Sequence, residues 1–372
     1  MLKRLSIVSL GVFLLILAGL GLLRAQEAEE PKPAGEGVLL RWDFEKGEKI
    51  KYSFRSERDV DQAVGEMQRI TMNHKESFWI TLEVTDITEQ GPYGMKCTFD
   101  AVKASFKMPM IGEFSYDSTE KGEEKKENEK PAPEEPKKGE TEPRKGEEGA
   151  EEPKKELDPY SKAWSKLPGS TFTFKLSRRG EVSNVKGGDE IGKKLLEGLT
   201  VHPQITPHLA IIQQIFSNRG LKESLEGILF TVPEEKVSKG STWQKEKEIG
   251  LKVCTLVMTR KYEVAEFGAT KGRECAKIVG TATYKKIDKP GGSEDPMAAM
   301  MNLKVKEGSG KGNIRFAKEK GRVVKSDGSN HLLLESDPMP MPGAQPGVTM
   351  ILKITIDSRF YLELLGKKDA FF

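Results

Sequence analysis

Four histidines and three cysteines are scattered through 372 residues, and that scarcity closes off several chemistries at once. A metal centre needs several His, Cys, Asp or Glu ligands at spacings that let them converge. His74, His202, His208 and His331 show no such spacing, and His202 and His208 straddle two prolines. No Gly-x-Ser-x-Gly elbow is present, no serine or cysteine sits in a recognisable nucleophile setting, and no glycine cluster opens a helix as a phosphate cradle does. An excess of one charge is missing too: 60 basic against 57 acidic residues give a net charge of +3, with Lys and Glu interspersed throughout. A nucleic-acid binder gathers its basic residues on one face, so no nucleic-acid partner is expected. Cys97, Cys254 and Cys275 permit at most one internal disulfide. With a hairpin turning near 268–272, Cys254 falls beyond Ile278 and not opposite Cys275, and all three read as core residues on strands. The expectation is no catalytic residue, no metal and no cofactor; binding residues for any ligand stay undetermined.

What is present starts with an export pattern. Lys3 and Arg4 precede an uncharged run over 5–23 that ends at Arg24 and Ala25. The run is longer than the roughly 7 to 15 residues of a cleaved signal core and just reaches the roughly 18 to 20 that span a bilayer. Residues 1–25 therefore read as a signal peptide or an N-terminal anchor, with membrane contact only through 5–23 if uncleaved. Either outcome places the rest outside the cytoplasm, periplasmic or secreted. Residues 26–37, rich in Pro and Glu, read as a tether.

Two β-rich patterns follow. The first has Lys46-Gly47, then Ile50, Tyr52 and Phe54 on one face, then 77–87 leading to Gly94-x-x-Cys97. The second has Lys239-Gly240, Trp243, then 257–267 leading to Gly272-x-x-Cys275, which matches Leu82 to Tyr262 and Val84 to Val264. Apolar residues at alternate positions, as at Phe78, Ile80, Leu82 and Val84, indicate antiparallel strands with one face covered. A second matching pair is a hairpin at 171–188 turning at Gly180 and one at 313–328 turning at Gly321. The resulting division is a first half over 38–188, a helical segment over 189–228, a second half over 229–365 and a tail over 366–372.

Three further segments matter. Residues 121–156 hold 10 Lys or Arg, 13 Glu and 5 Pro with no other side chain larger than Ala in apolar character, too little to offset ordering entropy, so a disordered charged insertion is expected. In the central segment, Ile191, Leu195, Leu196 and Leu199 share a helical stripe over 189–199. Thr206-Pro207 opens a second helix carrying Leu209, Ile212 and Phe216, with Gly220 as its stop. A third helix is expected over 296–303, and two final strands over 348–357 and 360–365.

Met108-Pro-Met110 and Met339-Pro-Met341 raise Cu(I), which thioethers suit, but methionine also fills irregular apolar surface, to which Met297, Met300, Met301 and Met350 add. Packing is the preferred reading, and an adaptable apolar lining is the next. Trp42, Trp79, Trp164 and Trp243 raise carbohydrate binding, against which stands ordinary sheet packing.

The run Phe44-Glu-Lys-Gly47 leading to Tyr52-Ser-Phe54, Arg178-Arg-Gly180-Glu-Val182 ahead of Gly187, and Val232-Pro233 through Gly240-Ser-Thr-Trp243 resembles an uncharacterised family of exported bacterial proteins, a domain of unknown function. The resemblance spans roughly 38–365 and implies export and a β-rich fold without an activity. The expected fold is β-rich (α+β): curved antiparallel sheet, half-barrel in form, built from two related halves with a few central helices packed against it. The expected function is a non-catalytic extracytoplasmic protein of the cell envelope, binding or structural, whose partner is an apolar small molecule, a lipid or another envelope component. The alternative is a carrier holding a lipid or other apolar ligand between sheet and helices under Leu209, Ile212 and Phe216; a hydrolytic enzyme is the minor one.

Overall fold

The computed structural model describes residues 37–65, 68–88, 91–109, 112–120, 157–199, 212–250, 254–287, 302–340 and 347–366. The signal or anchor, almost all of the tether and the charged insertion lie outside these residues, as does most of the helix expected at 296–303. Its last two residues, Asn302 and Leu303, are described and are not helical.

Strands dominate, as the alternation predicts. In chain order they are β1 (Lys49–Val64), β2 (Gln68–Ile87), β3 (Tyr93–Met108), β4 (Gly112–Asp117), β5 (Thr171–Leu176), β6 (Val182–Lys186), β7 (Thr242–Gly250), β8 (Thr255–Thr270), β9 (Arg273–Ile287), β10 (Lys304–Ala317), β11 (Arg322–Glu335), β12 (Met339–Pro340), β13 (Thr349–Met350) and β14 (Leu352–Leu364). All but the two-residue pair β12–β13 join one antiparallel sheet of order β6-β5-β3-β2-β1-β14-β11-β10-β9-β8-β7, with β4 also beside β3. Hairpin neighbours account for most of these pairings; the long-range one is β1 against β14, from Tyr52 opposite Leu364 to Val64 opposite Leu352. The two final strands expected from sequence are one, because Ser358 and Arg359 pair on both sides, with Arg58 and Glu57 of β1 and with Asn330 and Ser329 of β11.

The two Lys-Gly turns have matching geometry. Gly47 N–H donates to the Val84 carbonyl (2.8 Å) and Gly240 N–H to the Val264 carbonyl (2.7 Å), both glycines at positive φ. A register shift follows Val84 in the β2–β3 pair and Val264 in the β8–β9 pair, so Leu82 and Tyr262 each stand two residues before one. The cysteines do not match: Cys97 faces Leu82, whereas Cys275 faces Gly268, because the second hairpin runs further past its register shift before it turns. All three cysteines are free and buried.

The sheet is open but curls until its ends approach. Residues 38–44 lie across that opening as an extended strap with Leu40, Trp42 and Phe44 buried and Arg41 and Asp43 exposed. Trp42 N–H donates to the Arg178 carbonyl (2.9 Å), in the β5–β6 turn, and Asp43 N–H to the Gly321 carbonyl (3.1 Å), in the β10–β11 turn. The Trp42 indole N–H reaches the Phe230 carbonyl (3.3 Å) while its ring meets Phe316 edge-on at 5.3 Å. Nearby, Arg322 clasps Glu48 through two bonds of 2.6 and 3.1 Å, and the buried Tyr52 hydroxyl donates to the Val323 carbonyl (3.0 Å).

Among the described residues, helices α1 (Pro159–Ser165), α2 (Gly188–Leu196) and α3 (Asn218–Ile228) fill the remaining gap, and 212–215, within the second expected helix, are helical too. The sequence reading places α2 well and leaves α1 unassigned, although Asp158-Pro159 carries the cap-then-proline signal; the Asp158 carboxylate accepts from Ser161 N–H at 3.0 Å. Gly220 is not a helix stop. It lies in the first turn of α3, where its N–H bonds the Ser217 cap hydroxyl (3.0 Å), and a Cβ there would strike the Gln214 and Ile215 carbonyls. The side chains of Ile212 and Phe216 are 3% and 1% exposed, and Phe216 packs with Phe78, Phe99 and Trp164 at ring separations of 5.7 to 6.3 Å. They complete the core and roof no opening; Leu209 is outside the described residues.

Two glycines separate backbone strain from close approach. Gly240 and Gly321 both have positive φ, but a Cβ on Gly240 meets nothing within 4 Å, whereas one on Gly321 collides with the Arg41 carbonyl and Asp43 of the strap. Gly240→Ala is expected to lose about 1–2 kcal/mol from the left-handed conformation alone. Gly321→Ala is expected to lose clearly more in the same denaturant-midpoint measurement, and equal losses would mean that the strap does not depend on that contact.

Candidate functional site

The register places one row of inward-facing residues across the middle of the sheet. From β2 to β7 the successive cross-strand neighbours are His74, Arg58, Ser358, Asn330, Gly310, Ala282, Arg260 and Lys245. Beside it runs a second row: Phe360, Gly328, Gly312, Gly280, Tyr262 and Trp243. Apolar residues flank the two rows along the strands, so a polar and glycine-rich belt interrupts an otherwise apolar inner face.

Glycines at alternate positions of a strand remove side chains from one face and let a ligand or ring approach the backbone. Phe360 lies against Gly328, the Tyr284 ring against Gly308, and the Tyr262 ring within 3.4 Å of where a Gly280 Cβ would be. Between Phe360 and Tyr262 a groove remains, floored by Gly280, Gly310 and Gly312 and roofed by Gly227, Ile228 and Phe230 at the end of α3. It encloses about 450 Å³ with its open mouth included, and only a small part of that is deep.

Cations gather at the Tyr262 end. Lys245 donates to the Thr231 hydroxyl (2.6 Å), and Lys247 pairs with Glu226 (3.2 Å) and donates to the Glu223 carbonyl (3.2 Å), which ties edge strand β7 to α3. Burial pushes the Lys247 ammonium down to about 8 against the pull of Glu226, and the Arg260 charge pushes the same way as burial. Burial lowers Lys245 also, and raises Glu223 in spite of Arg219 at 2.8 Å. Around Lys247 and Glu226 lies a smaller hollow.

The other end of the polar row is closed. His74 Nε2 lies 3.2 Å from both the Tyr160 hydroxyl and Glu76 Oε1. Burial holds the imidazole below its ordinary range, with Glu76 opposing and Arg58 reinforcing. Of the tryptophans, Trp42 and Trp164 are fully buried, Trp79 is half-buried, and Trp243 stacks on Tyr262 at 5.4 Å. No exposed aromatic platform for a sugar is formed by them. Met108 is buried and Met339 and Met350 are half-buried, while Met110, Met297, Met300, Met301 and Met341 are outside the described residues. Among the described residues no three His, Cys, Asp or Glu side chains gather as metal ligands, and no helix is long and apolar enough to cross a membrane.

The sequence marks Tyr262 only as the counterpart of Leu82 and gives no groove residue a binding role. Arg260 looks like any of 60 basic residues, and only the register gives it a position. Gly308-Ser-Gly310-Lys-Gly312 did carry a signal, since its spacing fixes three glycines on one face.

The depressed Lys247 predicts a pH dependence. Between about pH 8 and the ordinary lysine value near 10.4, the unfolded chain holds a proton on this residue that the folded protein lacks, so the group's contribution to stability rises with pH. Relative to Lys247→Met, the natural protein should gain about 1–3 kcal/mol in urea unfolding between pH 7 and pH 10. A difference flat with pH would contradict the buried environment.

Residues 144–323, a little under half of the chain, match a family model described as a family of unknown function (DUF6263). The resemblance to a domain of unknown function is borne out over that stretch. No curated protein matches by sequence. Among solved structures, one described as lipid–protein interactions in lipovitellin is similar at 12% identity and TM-score 0.40, covering 87% of this chain and 26% of that one. This chain thus spans about a quarter of the lipovitellin length. DynF from the dynemicin biosynthesis pathway of Micromonospora chersina (8% identity, TM-score 0.19, 94% and 96% covered) and an outer membrane channel from Pseudomonas putida F1 (6%, 0.21, 90% and 100%) are also similar. With all three TM-scores below 0.5, none bears on function; the chain is similar to a family of unknown function over residues 144–323.

Proposed function

We propose that the protein is a non-catalytic binding protein acting outside the cytoplasm, and that the groove between the inner sheet face and the end of α3 holds a small apolar molecule. The carrying observation is the groove itself, a glycine floor between two aromatic walls under Ile228 and Phe230. Pockets of this kind bind through apolar contact with a few placed polar groups. The α3 end replaces Leu209, Ile212 and Phe216 as the roof, since Ile212 and Phe216 belong to the core.

A hydrolytic reading needs titratable groups converging where a substrate fits. Lys247 and Glu226 converge, but the hollow beside them is small and holds no serine or cysteine. His74, Tyr160 and Glu76 converge at the far end of the polar row, and neither hollow is lined by them. Neither supports turnover.

Gly227 lines the groove and a Cβ on it meets no atom within 4 Å, so the backbone there accepts a side chain and Gly227→Trp brings bulk to the groove. Protein purified from its own cells should release a stoichiometric apolar compound on solvent extraction and mass spectrometry, and Gly227→Trp should release at least tenfold less while melting normally. Clean protein in both cases, or equal yields, would remove the proposal. So would a turnover found in broad screening and lost on substitution of Lys247.

A further inference from the structure

Arg260 is a half-buried groove cation that the fold leaves uncommitted. It lies on β8, lines both the groove and the smaller hollow, and makes no hydrogen bond or ion pair among the described residues. Its neighbours are all engaged. Glu223 is held by Arg219 (2.8 Å), Glu226 by Lys247 (3.2 Å) and Lys222 (3.7 Å), Lys245 by Thr231 (2.6 Å), and the Tyr284 hydroxyl by Asn330 (2.9 Å). The five donors of Arg260 have no partner among the described residues, and its planar fork fits a carboxylate through two bonds.

The surroundings narrow the ligand further. Of the cations lining the smaller hollow, Lys245 is held by Thr231 and Lys247 by Glu226, which leaves Arg260 for an anionic head. From Arg260 the groove runs along the glycine floor to Phe360, past Ile314 and under Ile228 and Phe230, a slot with apolar walls. Only a small part of the groove is deep, so it takes a single narrow chain lying along the floor with one side open to solvent. Resting on the binding reading above, we infer that the ligand is a medium-chain amphipathic carboxylate, its head bidentate on Arg260 and its tail along Gly280, Gly312 and Phe360.

The test compares decanoate with decanol, which has the same chain without the charge, by calorimetric titration of the full-length protein below the decanoate micelle concentration. Decanoate should bind at least tenfold tighter than decanol. Arg260→Gln should abolish that preference by weakening decanoate alone, Arg260→Lys should restore part of it, and Gly227→Trp should weaken both ligands. Equal affinity for the two ligands, or an Arg260→Gln protein that keeps the preference, overturns the head-group inference while the groove reading stands. Binding of neither ligand, or binding unaffected by Gly227→Trp, overturns both. Matched melting curves of the variants exclude misfolding as the cause of a loss.

Discussion

The strap contact at Trp42 is the constraint on which the rest of the structure depends. An antiparallel sheet of this width has two edges and a coiled inner face, and neither is stable if left to water. Trp42 bonds the turn before β6 through its backbone and the Phe230 carbonyl through its indole, and it meets the Phe316 ring of β10. Asp43 then bonds the Gly321 turn. One short segment thereby joins the first strands of the sheet to the last ones, which are distant in sheet order and in sequence. Gly180 and Gly321 are glycines because the strap passes where their side chains would be: a Cβ on Gly180 would lie 2.5 Å from the Trp42 indole nitrogen.

Curvature held in this way creates both the closed and the open parts of the interior. Near β2 and β3 the inner face is filled by Phe78, Phe99, Trp164, Phe172 and Phe216, with Tyr160 buried and His74 half-buried beside it. Toward β8 and β9 glycine replaces large side chains, and the end of α3 stands off the sheet, so a trough remains with Arg260 at one end. The helix is held there by Lys247 of the edge strand, whose buried pairing with Glu226 covers that edge. Tight packing on one side and a trough on the other follow from where the chain puts aromatic side chains and where it puts glycine.

Much of the fold was legible because its signals are local. Alternation at Ile50, Tyr52 and Phe54 and the Lys-Gly turns at Gly47 and Gly240 place strands and turns, and the stripe through Ile191 and Leu195 places a helix. Where signals conflicted the reading erred. Gly220 reads as a stop by composition, yet its lack of a side chain serves a close approach to the Gln214 and Ile215 carbonyls, with Ser217 as the new cap. Ser358 and Arg359 read as a break, yet pairing on both sides carries β14 through. The groove was not legible at all, because it depends on β1 meeting β14 and on the resulting register. That long-range pairing alone sets Arg58, Asn330 and Arg260 in one row, and no local pattern announces it.

Hydrogen exchange read by mass spectrometry on the natural protein and on Trp42→Ala tests the central claim most directly. If the strap holds the curved sheet as one cooperative unit, losing the indole should lower protection together in β5 and β6 and in β8 to β10, far outside residues 38–44. Protection lost only within the strap and its immediate bonding partners would contradict the account, and would mean that the sheet keeps its curvature without it.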